Sequence, residues 1–247
     1  MSLKIITGRS RSGKTQLLLN DMSENSGAVY IVPEQFSFSA EKMLIDRFGV
    51  CGLGNPQVMS FERLADSIFS KYGGGAFIPD EAAYKMLVSY STNTLKGERL
   101  RLFDGLVKKS ELSGAAADLV TTFRKYCITP QMLENAAQKT DDKLLSKKLS
   151  DCGVIYRAYI EALKSTGADD RHNALSCAAQ LLCKNGENYF EGRNVYIDNF
   201  SDFDPAEYEL LRVIMTLSPR VCVSLCFDED EQFKSVFRTY SELIRIA

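Results

Sequence analysis

A short apolar run, Leu3-Lys4-Ile5-Ile6-Thr7, leads straight into Gly8-Arg9-Ser10-Arg11-Ser12-Gly13-Lys14-Thr15 and then into Gln16-Leu17-Leu18-Leu19. The middle segment satisfies the pattern GxxxxGK[ST] at every fixed position. No other feature constrains the fold as tightly, because the pattern has meaning only as a strand, a tight glycine loop and a helix. The glycines let successive backbone N–H groups curl around an anion, and the open N–H groups of the helix's first turn add partial positive charge. In such a loop Lys14 reaches nucleotide phosphates and the Thr15 hydroxyl ligates Mg²⁺. Gly8, Arg9, Ser10, Arg11, Ser12, Gly13, Lys14 and Thr15 are therefore the candidate ATP-binding segment. The plainer reading, an ordinary glycine-rich turn, gives no reason for Lys-Thr at its end. Arg9 and Arg11 either add phosphate affinity or are solvent-facing loop charges.

Four further strands are expected from β-branched and apolar content: Ala28–Val32, Gln57–Ser60, Asn194–Asp198 and Val221–Phe227. Helical or loop segments follow each, which predicts an α/β fold with a parallel sheet. Between the third and fourth strands the pattern is helical. Asp80 caps Glu81–Thr92, Ser113 precedes Gly114–Tyr126, Pro130 opens a short helix, and Arg171–Cys183 forms another. Asp141–Lys164 is a long amphipathic run with Leu144, Leu145, Leu149, Val154, Ile155, Tyr159 and Leu163 in phase. So long a helical stretch is expected to be an inserted all-helical subdomain at residues 64–190. Residues 1–63 with 191–247 then form the sheet domain. Phe233–Ala247 reads as an amphipathic helix that stops without a cap, so the natural chain is expected to continue.

Composition narrows the chemistry. The net charge is -2, so any nucleic-acid contact must be local. No apolar run has membrane-spanning length, and no membrane partner is expected. The seven cysteines lack framework spacing, which fits reduced thiols and a cytoplasmic location, with Cys222 and Cys226 on one buried strand face. His172 is the only histidine and reads as a surface helix residue, which argues against zinc and Ser-His chemistry.

The carboxyl ends of parallel strands form the ligand-facing edge of an open sheet. After the second and third strands that edge carries Gln35, Phe36, Ser37, Phe38, Ser60, Phe61 and Arg63. The aromatic rings either stack on unpaired bases or pack the protein interior, while Ser37, Ser60 and Arg63 are phosphate-holding candidates. The fourth strand, Val195-Tyr196-Ile197, runs into Asp198. An apolar strand ending in Asp is the pattern of a carboxylate that holds Mg²⁺ through water beside the loop threonine. Thr15 and Asp198 are thus the candidate metal residues. The alternative, a helix cap, fits Asp202 or Asp204 better because Pro205 follows. Asn199 comes next, where a hydrolase would carry a glutamate. A neutral amide can bind a water but cannot take its proton.

The segment from Asp198 to Leu211 resembles motif II of the UvrD/Rep-type superfamily 1 helicases, D-E-F-Q-D-x-x-P-x-Q-Y-x-L-L. Asp198, Phe200, Asp202, Pro205, Tyr208, Leu210 and Leu211 match, while Asn199 and Ser201 depart from it. Ser39-Ala40-Glu41-Lys42-Met43 is similar to motif Ia, and Ser60-Phe61 to motif Ib. Leu225 to Gln232 faintly echoes motif III, with Gln232 as a candidate sensor. A narrower resemblance runs through Val32-Pro33-Glu34-Gln35, Ser60-Phe61-x-Arg63-Leu64-Ala65 and Tyr196-Ile197-Asp198-x-Phe200, with Phe203 and Pro205 following. In that order, after GRSxSGKT, these resemble the AddB family, whose members form one half of the bacterial ATP-dependent helicase/nuclease AddAB.

The resemblance implies a P-loop NTPase, RecA-like sheet domain (helicase 1A-like) with a 1B-like helical insertion. It implies ATP and Mg²⁺ as ligands, an AddA-like helicase/nuclease subunit as partner, and single-stranded DNA and double-stranded DNA ends as substrates in break repair and recombination. It also implies DNA contacts at Gln35, Phe36, Ser37, Ser60, Phe61 and Arg63. The family's helicase-like half is regarded as a non-motor scaffold that reads a recombination signal in the translocating strand. Its nuclease region lies downstream, so this segment is not expected to cut DNA. Without an upstream adenine-reading Gln, a second RecA-like domain or a glutamate at position 199, hydrolysis is expected to be slow or nil. A P-loop small-molecule kinase and a vestigial nucleotide-binding scaffold remain as alternatives.

Overall fold

The computed structural model describes residues 2–23, 27–49, 56–73, 81–95, 100–103, 110–167, 171–227 and 234–247. Asp80, Gln232 and the side chains of Ser113 and His172 lie outside the described residues. All five expected strands are present: β1 (Leu3–Gly8), β2 (Val29–Ile31), β3 (Gln57–Met59), β4 (Val195–Ile197) and β5 (Val221–Cys226). They form one sheet in the order β1-β5-β4-β2-β3, with every neighbouring pair parallel. The described helices are α1 (Lys14–Met22), α2 (Ser37–Phe48), α3 (Phe61–Tyr72), α4 (Glu81–Thr94) and α5 (Ser110–Lys125), followed by α6 (Pro130–Lys139), α7 (Lys143–Thr166), α8 (Arg171–Asn185), α9 (Pro205–Leu217) and α10 (Lys234–Ile246). No helix among the described residues is long and apolar enough to cross a membrane.

The chain divides into two compact units, Met1–Gly75 with Leu175–Ala247, and Ala76–Ala174. In the first unit the central strands are buried on both faces, as their continuous apolar sequences require. Side chains alternate across the sheet. Val29, Ile31, Val195, Ile197, Val223 and Leu225 pack with residues of α3, α8, α9 and α10. Tyr30, Val32, Tyr196 and Cys222 face the other way, into a core with Leu18 and Met22 of α1 and Ala40 and Leu44 of α2. Tyr30 and Tyr196 are register partners. The sequence expectation set the unit boundaries at 64 and 190. The compact units divide nearer 75 and 175, because Leu64 and Ile68 of α3 and Leu175, Ala178 and Leu182 of α8 belong to the sheet-side core.

The second unit builds its own core from Val88, Val120, Leu133, Ile155, Tyr156 and Tyr159 of α4 to α7. Asp151 of α7 is buried and accepts backbone N–H bonds from Arg101, Leu102 and Phe103 at 2.9, 2.7 and 3.0 Å. Leu144 and Leu145 share the apolar phase of α7 but are exposed. They fall in the first turn after the Asp142 cap, before the stretch of α7 that meets other helices. α5 begins upstream of Ser113, so that residue is inside the helix and not its cap. None of the described cysteines is paired. Cys222 is buried and Cys226 exposed, so only the first fills the core as expected.

Candidate functional site

The loop between β1 and α1 has the geometry that its glycines permit. Gly13 sits at φ 88° at the N-cap of α1, a left-handed conformation that disfavours other residues. It offers no capping side chain, so the first N–H groups of α1 stay open to a ligand. A Cβ on Gly8 would lie 2.5 Å from Ser12 Oγ, so the loop closes on itself only with glycine there. Ser12 N–H donates to the Arg9 carbonyl at 3.2 Å, which completes the turn. Lys14 Nζ donates to the carbonyls of Gly8 and Arg9 at 2.8 and 2.7 Å. An anion in the loop would exchange these two bonds for charge-assisted ones.

The loop borders a cleft of about 470 Å³ whose lining includes Ser10–Gln16, Asp198–Ser201, Ser224 and Cys226. Arg11 lines it, with φ 61°. Across the cleft Thr15 Oγ1 donates to Asp198 Oδ2 at 2.7 Å, joining residues 183 positions apart. Asp198 immediately follows β4, and its N–H donates to the Ile31 carbonyl at 3.0 Å, which fixes the backbone to β2. Asp204, not Asp198, caps α9, in a reciprocal capping box with Glu207.

Three further donors converge on the Asp198 carboxylate. Tyr30 OH donates to Oδ2 at 2.9 Å. Ser224 Oγ and the Asn199 N–H, the latter at 3.0 Å, donate to Oδ1. Strand alternation explains the convergence, since Tyr30, Asp198 and Ser224 point to the face that carries α1. Asp198 is only 2% exposed. Burial first, and then the charge and hydrogen bond of Asp198, push the Tyr30 hydroxyl well above the ordinary phenol range, so it stays a donor. Tyr30 and Ser224 escaped the sequence reading. The available signal was a hydroxyl inside each of two buried apolar runs, Val29-Tyr30-Ile31 and Val223-Ser224-Leu225. The Thr15 hydroxyl and the Asp198 carboxylate are hard oxygen donors and fit Mg²⁺, which binds through one or two carboxylates plus substrate phosphates.

The other sequence-predicted residues separate by burial. Phe61 is 1% exposed and meets Phe200 and Phe203 edge-on at 5.4 and 6.0 Å. Its ring is a core element and presents no face to a base. Ser60 is buried and caps α3, accepting the Arg63 N–H at 3.3 Å. Ser37 is also buried, at the start of α2. Phe36 and Phe38 are exposed, and Arg63 is half-exposed between Glu34 at 3.5 Å and Glu41 at 3.1 Å.

A family model described as ADDB, N-terminal matches residues 5–247. The AddB-type subunit of the ATP-dependent helicase/deoxyribonuclease of Clostridium tetani (strain Massachusetts / E88) is 33% identical over 236 residues, covering 92% of this chain and 20% of that protein. The protein of the same description from Clostridium kluyveri (strain NBRC 12016) is 32% identical over the same shares. That from Caldanaerobacter subterraneus subsp. tengcongensis is 30% identical, covering 100% of this chain and 22% of the relative. The chain thus spans about a fifth of the length of the curated relatives it matches. The family match takes in both halves of the site, the glycine loop with Thr15 and the strand end with Asp198, and the chain belongs to the ADDB, N-terminal family.

Proposed function

We propose that this chain is the nucleotide-holding part of a helicase/deoxyribonuclease subunit that acts on DNA ends in double-strand break repair and recombination. The observation that carries the reading is the 2.7 Å bond from Thr15 to Asp198 at the mouth of the glycine loop. The open N–H groups of α1 and the Lys14 ammonium hold the phosphates of ATP, while Thr15 and Asp198 hold Mg²⁺. The bound ion supplies positive charge against the phosphate oxygens. Asn199 leaves the site without a proton acceptor for water, so the chain grips nucleotide and turns it over slowly or not at all. The names of the relatives support ATP use and a role as one subunit of a larger assembly.

In the same reading the sheet unit is RecA-like and the helical unit a 1B-like insertion. The partner is an AddA-like helicase/nuclease subunit. The DNA path runs over the exposed edge that carries Gln35, Phe36 and Arg63, where Arg63 exchanges its glutamate partners for phosphate. Ser37, Ser60 and Phe61 support that edge from beneath.

Calorimetric titration with Mg·ATP tests the nucleotide reading. Saturable binding is expected for the natural sequence. For Lys14→Ala a loss of about tenfold or more is expected, as removal of a charge-assisted contact worth about 1.5–3 kcal/mol requires. No heat and no rise in thermal midpoint with the natural sequence would mark a vestigial loop and overturn the proposal. Robust DNA-stimulated ATP turnover that Lys14→Ala abolishes would overturn its non-motor part.

A further inference from the structure

An ionised carboxylate has about four acceptor positions, and all of them on Asp198 are filled by the protein. Oδ2 takes the Thr15 and Tyr30 hydroxyls, and Oδ1 takes the Ser224 hydroxyl and the Asn199 N–H. These donors are not equivalent. Thr15 belongs to the glycine loop and has a second use as a metal ligand. Tyr30 is fully buried on the central strand β2, and Ser224 is 2% exposed on β5. Neither hydroxyl lies on the loop. When the Thr15 hydroxyl turns toward a cation, a single acceptor position opens on Oδ2 and three donors stay in place. The carboxylate then changes partner without changing orientation.

We infer that Tyr30 and Ser224 are positioning residues for the divalent cation that accompanies the nucleotide. They lock Asp198 so that the position vacated by Thr15 receives one metal-bound water. The inference rests on the nucleotide reading above. It assigns the phosphate grip to the loop, and the extra affinity conferred by the metal to the Asp198 clamp.

The test measures ATP affinity of the full chain by calorimetry, once with a chelator and once with Mg²⁺, for the natural sequence, Tyr30→Phe and Ser224→Ala. Tyr30→Phe removes only the hydroxyl and keeps the buried ring. The expected result is a metal-free affinity that holds while the gain from Mg²⁺ falls about tenfold, the range for loss of a partner behind a metal ligand. Ser224→Ala is expected to reduce the gain in the same way. It decides the matter alone if thermal unfolding shows that Tyr30→Phe does not fold. An unchanged gain in the variants, or metal-free and metal-bound affinities that fall together as a packing role demands, overturns the inference. So does a natural sequence whose affinity Mg²⁺ does not raise. A natural sequence that binds ATP under neither condition overturns the nucleotide reading and this inference with it, whereas retained binding with an unaltered gain overturns the inference alone.

Discussion

Asn199 sits at φ 66°, next to the most heavily bonded carboxylate in the site. Residues with a Cβ lose about 1–2 kcal/mol in the left-handed region, and asparagine is among the few that enter it routinely. The absence of glutamate here therefore has a backbone reason as well as a chemical one. Asn199→Glu is expected to lower stability by about 1 kcal/mol, read as a reduced urea midpoint at unchanged slope, and to give no ATP turnover. Asn199→Gly should hold the midpoint, since glycine enters this region freely. An Asn199→Glu variant of full stability would show that the backbone relaxes out of this conformation. Residue identity made Thr15 and Asp198 legible, because each stands at a fixed place beside a glycine loop or a strand end. Tyr30 and Ser224 were not legible, since only sheet register brings them to Asp198. Phe61 shows the opposite failure. An aromatic just past a strand end can serve a ligand or the core, and its 1% exposure assigns it to the core.

At the scale of elements, polar anchoring matters as much as apolar phase. Asp151 projects from the middle of α7 to three consecutive N–H groups, those of Arg101, Leu102 and Phe103. Asp151→Ala leaves those donors without their acceptor and should cost about 1–3 kcal/mol. A guanidinium titration checks this, and a loss below a few tenths of a kcal/mol would mean that water replaces the carboxylate. Nothing in the local sequence announces that bond, which spans a chain separation of 50 residues at Arg101. Strand positions were read well, since short apolar runs between turn residues leave few alternatives. Helix ends were read where a cap or proline marks them, as at Thr129 before Pro130 and Asp204 before Pro205. Leu144 and Leu145 misled because periodicity gives the face of a helix but not the length over which that face is covered.

For the whole molecule, separate cores imply separable stabilities. The sheet unit draws on two apolar clusters and the helical unit on a third, all within their own residues. Urea unfolding is expected to show two transitions. Mg·ATP at about a hundred times its dissociation constant should raise only the one that reports the sheet unit, by about 2.7 kcal/mol. A single transition, or an equal shift of both, would show that the units unfold as one. The strand order has a consequence in time. β1 pairs only with β5 in the described sheet, so the first of these strands to be synthesised waits for the last of them. At about 5–20 residues per second the wait is on the order of ten to forty seconds. Throughout it the loop that carries Lys14 and Thr15 already exists, attached to a strand with no neighbour, and the nascent chain can bring Thr15 and Asp198 together only once the final strand has arrived.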